Sequence, residues 1–278
     1  MPLTSPIRQY AHIRPTRTEW LRTNNALGIE LEYENLPSGL AEIPSWHLTS
    51  DGSLRNNGGE WVSIPLPFDD VDAALEMAES SLVHSGVVAS LRCGLHTHMN
   101  MRPYSVGQVW SLVTLYALIE PTLYDQYAVG REGNMFAVPM YLNNHQVRAL
   151  YNDINGVRAG TSRQCSVTST SKYSALNFHR LADLGTLEMR QPYCTTNFDA
   201  IRSWTDFCKR LVTVGTQFAD PHHVLDEYER GGLEELQERL FGEAFPIDPD
   251  IQELAEDAAY YVGGYREPQW DELEWEVA

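Results

Sequence analysis

Two histidines, His96 and His98, stand two apart in the stretch Leu91–Met101, L-R-C-G-L-H-T-H-M-N-M. On a β-strand successive side chains alternate across the sheet, so both imidazoles share one face and Leu95, Thr97 and Met99 take the other. Two further stretches alternate in the same way. Leu27–Asn35, L-G-I-E-L-E-Y-E-N, puts Glu30, Glu32 and Glu34 opposite Ile29, Leu31 and Tyr33, and G-T-L-E-M-R-Q puts Glu188 and Arg190 opposite Leu187 and Met189. Glu60, just after N-N-G-G, is a further strand-borne carboxylate. Each pattern alone also suits a solvated strand face or an exposed cross-strand ion pair of little energetic value. Together they describe a mixed oxygen and nitrogen cluster for a hard divalent cation. Carboxylates with an occasional imidazole suit Mg2+ or Mn2+, whereas zinc would favour three histidines or thiolates.

Charge narrows the chemistry. The 278 residues carry 38 Asp and Glu against 20 Lys and Arg, a formal net charge of −18. Such a field opposes nucleic-acid backbones and anionic membrane surfaces, and neither is expected as a partner. A nucleoside triphosphate would need bridging metal ions, with arginines as its direct phosphate donors. All the basic residues except Lys172 and Lys209 are arginine. The P-loop G-x-x-x-x-G-K-[ST], the dinucleotide G-x-G-x-x-G, G-x-S-x-G and H-E-x-x-H are all absent from the sequence. Cys93, Cys165, Cys194 and Cys208 form no C-x-x-C pair, and no apolar run of membrane-spanning length occurs. The N-terminal residues have no apolar signal-peptide core, so the expectation is a cytoplasmic protein with free buried thiols.

The elements that must position these residues follow from periodicity. Residues 1–26 read as an arm, and 27–35 as a strand. W-H-L-T-S-D-G-S-L reads as a short strand entering a D-G turn, and Glu60–Ile64 as a strand stopped by Pro65. A helix is expected from an Asp69 or Asp70 cap to Gly86, with Val71, Ala74, Leu75, Ala78 and Leu82 buried. Ser105 and Gln108 form a capping box for a helix over 105–127, which Pro121 should kink or divide. Residues 128–170 read as a long irregular working loop, a candidate lid. Strands are expected over Lys172–His179 and Gly185–Gln191, then a helix over Asn197–Phe218 and two acidic amphipathic helices over 222–242 and 249–262.

The motif order resembles the amidoligase family. G-x-E-x-E comes first, then a D-G-S turn and a Glu strand ending in S-x-P. C-G-x-H-x-H, Y-x-x-L-N and T-x-E-x-R follow, all within about residues 27–215. That family is similar to glutamine synthetases and glutamate–cysteine ligases. The resemblance implies an α+β domain over 27–220. A curved, mainly antiparallel sheet would form a funnel for nucleotide and metal, with helices on its outer face, and 221–278 would be an acidic helical extension packed on the same domain. It implies ATP and Mg2+ (or Mn2+) as cofactors, with Glu30, Glu32, Glu60, His96 and Glu188 as metal ligands. Arg190 would sit near the transferring phosphoryl group or the substrate carboxylate, and His98 would face the substrate. Arg163, Lys172 and Arg180 would flank the phosphates. The implied reaction joins a carboxylate to an amine, on a small molecule, peptide or protein side chain, through an acyl phosphate. Related ligases range from monomers to large rings, which leaves a homo-oligomer open. Two other functions use the same residues: a metal-dependent hydrolase, and a non-catalytic nucleotide- or partner-binding protein on a ligase fold.

Overall fold

The computed structural model describes residues 2–13, 25–162 and 165–263. Chemistry and packing are divided between the two faces of one open sheet. Its strands are β1 (Ala26–Tyr33), β2 (Trp46–Thr49), β3 (Gly59–Ser63), β4 (Leu66–Pro67), β5 (Leu95–Asn100), β6 (Leu176–Asn177) and β7 (Thr186–Met189). Their order is β2-β3-β1-β5-β7-β6, with β4 also pairing β1, and every named pair is antiparallel.

Leu27, Ile29, Leu31, Tyr33, Trp61, Leu95, Met99, Leu187 and Met189 are all buried on one face. Burying each such side chain stabilises the fold by about 1.5–3 kcal/mol, an upper estimate for a chain not fully extended when unfolded. Two helices back this face: α2 (Val71–Leu82), which packs on β4, and α6 (Phe198–Gly215), which packs on β5. Trp204 of α6 donates its indole N–H to Thr97 Oγ1 at 3.0 Å, fixing the helix over the strand. The Asn197 side chain caps α6, as its type and position require.

Behind α6 runs α3 (Val106–Tyr127), buried almost throughout and started by the Ser105–Gln108 capping box. Pro121 does not divide it. Around α3 pack α1 (Ile7–Tyr10), whose Ile7 and Tyr10 are fully buried, and the acidic helices α7 (Pro221–Phe241) and α8 (Pro249–Gly263). Within α7 the backbone leaves helical geometry at Gly232, with φ 70° and ψ −171°, a conformation glycine adopts without steric cost.

Two expectations need correcting. The segment 128–170 is not one irregular loop, because α4 (Asn144–Arg158) occupies its centre. Asn143 caps α4, and Leu150, Ile154 and Val157 are buried along it. Lys172–His179 is not one strand either. Ser171 turns the chain by accepting from the Tyr173 and Ser174 N–H groups, and only Leu176–Asn177 pairs. Asn177 then accepts from the His179 N–H and the chain enters α5 (His179–Asp183). Among the described residues no helix is long and apolar enough to cross a membrane. The four cysteines are free and buried.

Candidate metal and phosphate site

Register places the acidic residues side by side on the second face. Glu30 pairs with His96, Glu32 with Glu60, and His98 with both Gly28 and Glu188. The side chains converge on His96, whose Nδ1 lies 3.2 Å from Glu30 Oε2, 3.8 Å from Glu32 Oε1, 3.8 Å from Glu188 Oε1 and 4.0 Å from Glu60 Oε1. Glu30, Glu60 and His96 each offer a ligand atom within 4.8 Å of the others. So do Glu30, His98 and Glu188, which makes Glu30 common to two candidate cation positions. Glu32 belongs to neither set. Its Oε2 already accepts the Gly94 N–H at 2.6 Å, leaving Oε1 turned toward His96.

Glu30, Glu32, Glu60, His96 and Glu188 floor a cavity of about 1100 Å3 that Lys172, Arg180 and Arg190 also line. Arg190 pairs with Glu188 Oε1 and donates Nε–H to the Phe136 carbonyl at 3.1 Å, while Arg180 Nε lies 3.6 Å from Glu188 Oε2. Arg163 lies outside the described residues. The expectation that His98 faces the substrate does not fit its placement. His98 is buried beneath Glu30, bonding Glu30 Oε1 through Nε2 at 3.0 Å and Thr186 Oγ1 through Nδ1 at 2.9 Å, and it is not part of the cavity wall. Alternation gave the correct face. The residue opposite is Gly28, and with no side chain there the ring sits low in the sheet.

Titration follows from crowding. Burial would raise the Glu30 carboxyl, but the charge of His98 and hydrogen bonds from His96 and His98 outweigh it and hold Glu30 well below the usual carboxylate range. His98 responds in the opposite sense: burial lowers it, yet the charge of Glu30 prevails and it is raised. Glu188 is lowered against its own burial by His98 and Arg190. Glu60 is pushed up to about 9 by burial and then by the charge of Glu30, and burial also raises Glu32. Two carboxylates within 4.8 Å of each other repel by about 3–4 kcal/mol or more at an effective dielectric near 20. Against a net stability of about 5–15 kcal/mol, a cluster of four needs protons or a cation. The donor set, oxygens with one cavity-facing imidazole nitrogen, fits a hard divalent cation.

Sequence spacing missed three residues on this wall. Asn177 donates to Glu188 Oε2 at 2.7 Å, Asp51 lines the cavity from the D-G-S turn, and Arg131 lines it from the loop after α3. Asn177, inside Y-x-x-L-N, and Asp51, the first residue of D-G-S, carried a motif signal, and Arg131 carried none. The family comparison bears on the whole arrangement. Residues 17–212 match the family described as "Putative amidoligase enzyme", well over half of the chain, and the protein belongs to that amidoligase family. No curated protein matches the chain.

Proposed function

We propose that the protein is an ATP- and Mg2+-dependent carboxylate–amine ligase that makes an amide or isopeptide bond through an acyl phosphate. The observation that supports this reading is the meeting of Glu30, Glu60, His96 and Glu188 with Lys172, Arg180 and Arg190 around one cavity, in a chain of the amidoligase family. A carboxylate does not acylate an amine directly, because the leaving group would be oxide. In the first step a substrate carboxylate oxygen attacks the γ-phosphorus of ATP, forming the acyl phosphate and releasing ADP. The amine then attacks the acyl carbon, the C–O bond to phosphate breaks, and the proton lost by nitrogen goes to a base. Asp51, a loop carboxylate on the cavity wall, is placed to accept it.

Glu30, Glu60, His96 and Glu188 would hold the cations, with Glu32 completing the shell through its free oxygen. When bound, Mg2+ neutralises phosphate oxygens and so lets two anionic reactants meet. Arg180 and Arg190 are kept in place by Glu188 and offer their remaining N–H groups to phosphate. His98 orients Glu30 from below, the part an outer-shell partner plays. The segment 131–136, tied to Arg190 through the Phe136 carbonyl, is suited to cover the acyl phosphate and exclude water. The hydrolase alternative calls for imidazoles facing a metal-bound water. Of the cavity's two histidines only His96 meets the acidic cluster, while His179 lies 3.8 Å from Asp183, which favours the ligase.

The test is ADP release from ATP and Mg2+ over a panel of carboxylic acids, with hydroxylamine as the trapping amine. The expected outcome is release that requires both metal and acid, reduced about 100-fold or more in Glu30→Gln and in Glu188→Gln. Silence for every acid, or undiminished turnover in both variants, would remove the ligase reading. Biological activity that survives both changes would favour the non-catalytic role.

A further inference from the structure

Among the arginines on the cavity wall, one is buried and has no ion-pair partner among the described residues. Arg131 is 2 % exposed and lines the cavity. Its Nε and Nη1 are buried with no hydrogen-bond partner, and it forms no ion pair among the described residues. Its Cζ lies over the Tyr193 ring, 4.4 Å from the centroid. Burial lowers its proton affinity, and the opposing influence of Tyr193 and Glu32 does not reverse this. An unpaired buried guanidinium destabilises the fold that contains it, so such a group usually marks a place where a ligand supplies the missing partner.

Position along the strands says which ligand group this is. Gly94 pairs with Tyr193, and its carbonyl accepts from the Glu32 N–H. Arg131 stands at this end of the carboxylate row, since a methyl group on Gly94 would come within 3.3 Å of its Nη2. His98, Glu188 and Asn177 form the far end, where Arg180 sits. Four residues of strand separate Gly94 from His98, about 13 Å. Arg180 and Arg190 already share Glu188, which anchors the cations suited to a polyphosphate. Arg131 shares nothing, and its unpartnered Nε and Nη1 groups are donors that a carboxylate can accept.

We propose that Arg131 holds a carboxylate group of the acid substrate at the Gly94–Tyr193 end of the cavity, across the acidic cluster from the nucleotide phosphates. The identity of that anion as a substrate group rests on the ligase reading. The binding site itself does not.

The test uses the full chain in Mg2+ buffer and measures melting temperature and affinity for acetate, inorganic phosphate and MgADP, with chloride at matched ionic strength. Wild type, Arg131→Lys and Arg131→Gln are compared. Acetate should stabilise the wild type beyond chloride, bind Arg131→Gln about tenfold or more weakly, as expected for a lost charged hydrogen bond, and bind Arg131→Lys at an intermediate level. Phosphate and MgADP should bind all three alike. Without added anion, Arg131→Gln should melt at or above the wild-type temperature, because it removes an unpaired charge; a purely structural arginine would give the reverse. Acetate binding that is equal in wild type and Arg131→Gln, no acetate response in the wild type, a loss that falls on phosphate, or a lower melting temperature in Arg131→Gln would overturn the proposal. Failure of the wild type to bind MgADP would count against the ligase reading alone.

Discussion

At the scale of single residues the site depends on what is left out as much as on what is present. A methyl group on Gly94 would lie 2.5 Å from His96 Nε2. The histidine ring would have to move, and it can, because the clash falls at the end of a side chain and not on backbone. Gly94→Ala should therefore fold with nearly unchanged stability while Mn2+ affinity falls about 10- to 100-fold, the range seen when a ligand loses its supporting geometry. A calorimetric Mn2+ titration beside a melting curve checks both halves, and unaltered Mn2+ affinity would remove His96 from the ligand set. Legibility at this scale followed period. Glu30, Glu32, His96 and Glu188 could be placed on one face because strand alternation is rigid. Depth was not legible: His98 shares that face but sinks beneath Glu30, since only pairing with β1 reveals Gly28 opposite it. Arg131 gave no signal, because its burial depends on Tyr193, far along the chain.

At the scale of elements, α3 is tied to the strand end beside Arg190 through one buried carboxylate. Glu120 accepts the Tyr116 hydroxyl on Oε1 and the N–H groups of Met140 and Tyr141 on Oε2, at 2.7 and 3.3 Å. Gln191, next to Arg190, donates to the same Tyr116 hydroxyl, and its own Oε1 is unsatisfied. Burial raises Glu120 to about 7 despite those three hydrogen bonds. Between the ordinary value near 4.5 and about 7 the folded chain keeps this proton and the unfolded chain loses it, so stability falls as pH rises through that window, by about 3 kcal/mol in all. Glu120→Gln offers the same acceptor to the two backbone N–H groups and donates to the tyrosine, whose proton passes to Gln191 Oε1 once that amide flips its Nε2 away from the hydroxyl. Denaturant unfolding from pH 5 to 8 should show the two proteins close together at the acid end, with Glu120→Gln the more stable above pH 7. Parallel curves would refute the assignment. The turn that Glu120 holds leads into α4, the element that sequence periodicity did not reveal. Its apolar stripe, Val147, Leu150, Ile154 and Val157, is thin beside a run of Asn, His, Gln and Arg. By contrast the strong stripes of α2 and α6 and the capping box of α3 were plain, because local chemistry and burial agreed there.

At the scale of the whole molecule the family match and the packing do not end together. The match stops at residue 212, inside α6, yet α7 and α8 both lie against α3. In α7, Val224, Leu225, Tyr228, Leu233, Leu236 and Leu240 are buried, and Gln237 donates to Thr122 of α3 at 3.1 Å. Acidic residues occupy the exposed side of these helices, so the acidic composition belongs to one surface of an amphipathic layer. Six such side chains contribute about 9–18 kcal/mol of burial as an upper estimate, comparable with the whole stability of a domain. A chain ending at Thr216 keeps every described cavity residue, but it exposes the apolar flank of α3. It should lose cooperative thermal unfolding, followed by far-UV circular dichroism, and should bind Mn2+ no better than an unfolded control. A cooperative transition with wild-type Mn2+ affinity in that truncated chain would show instead that the sheet and α6 hold the site unaided.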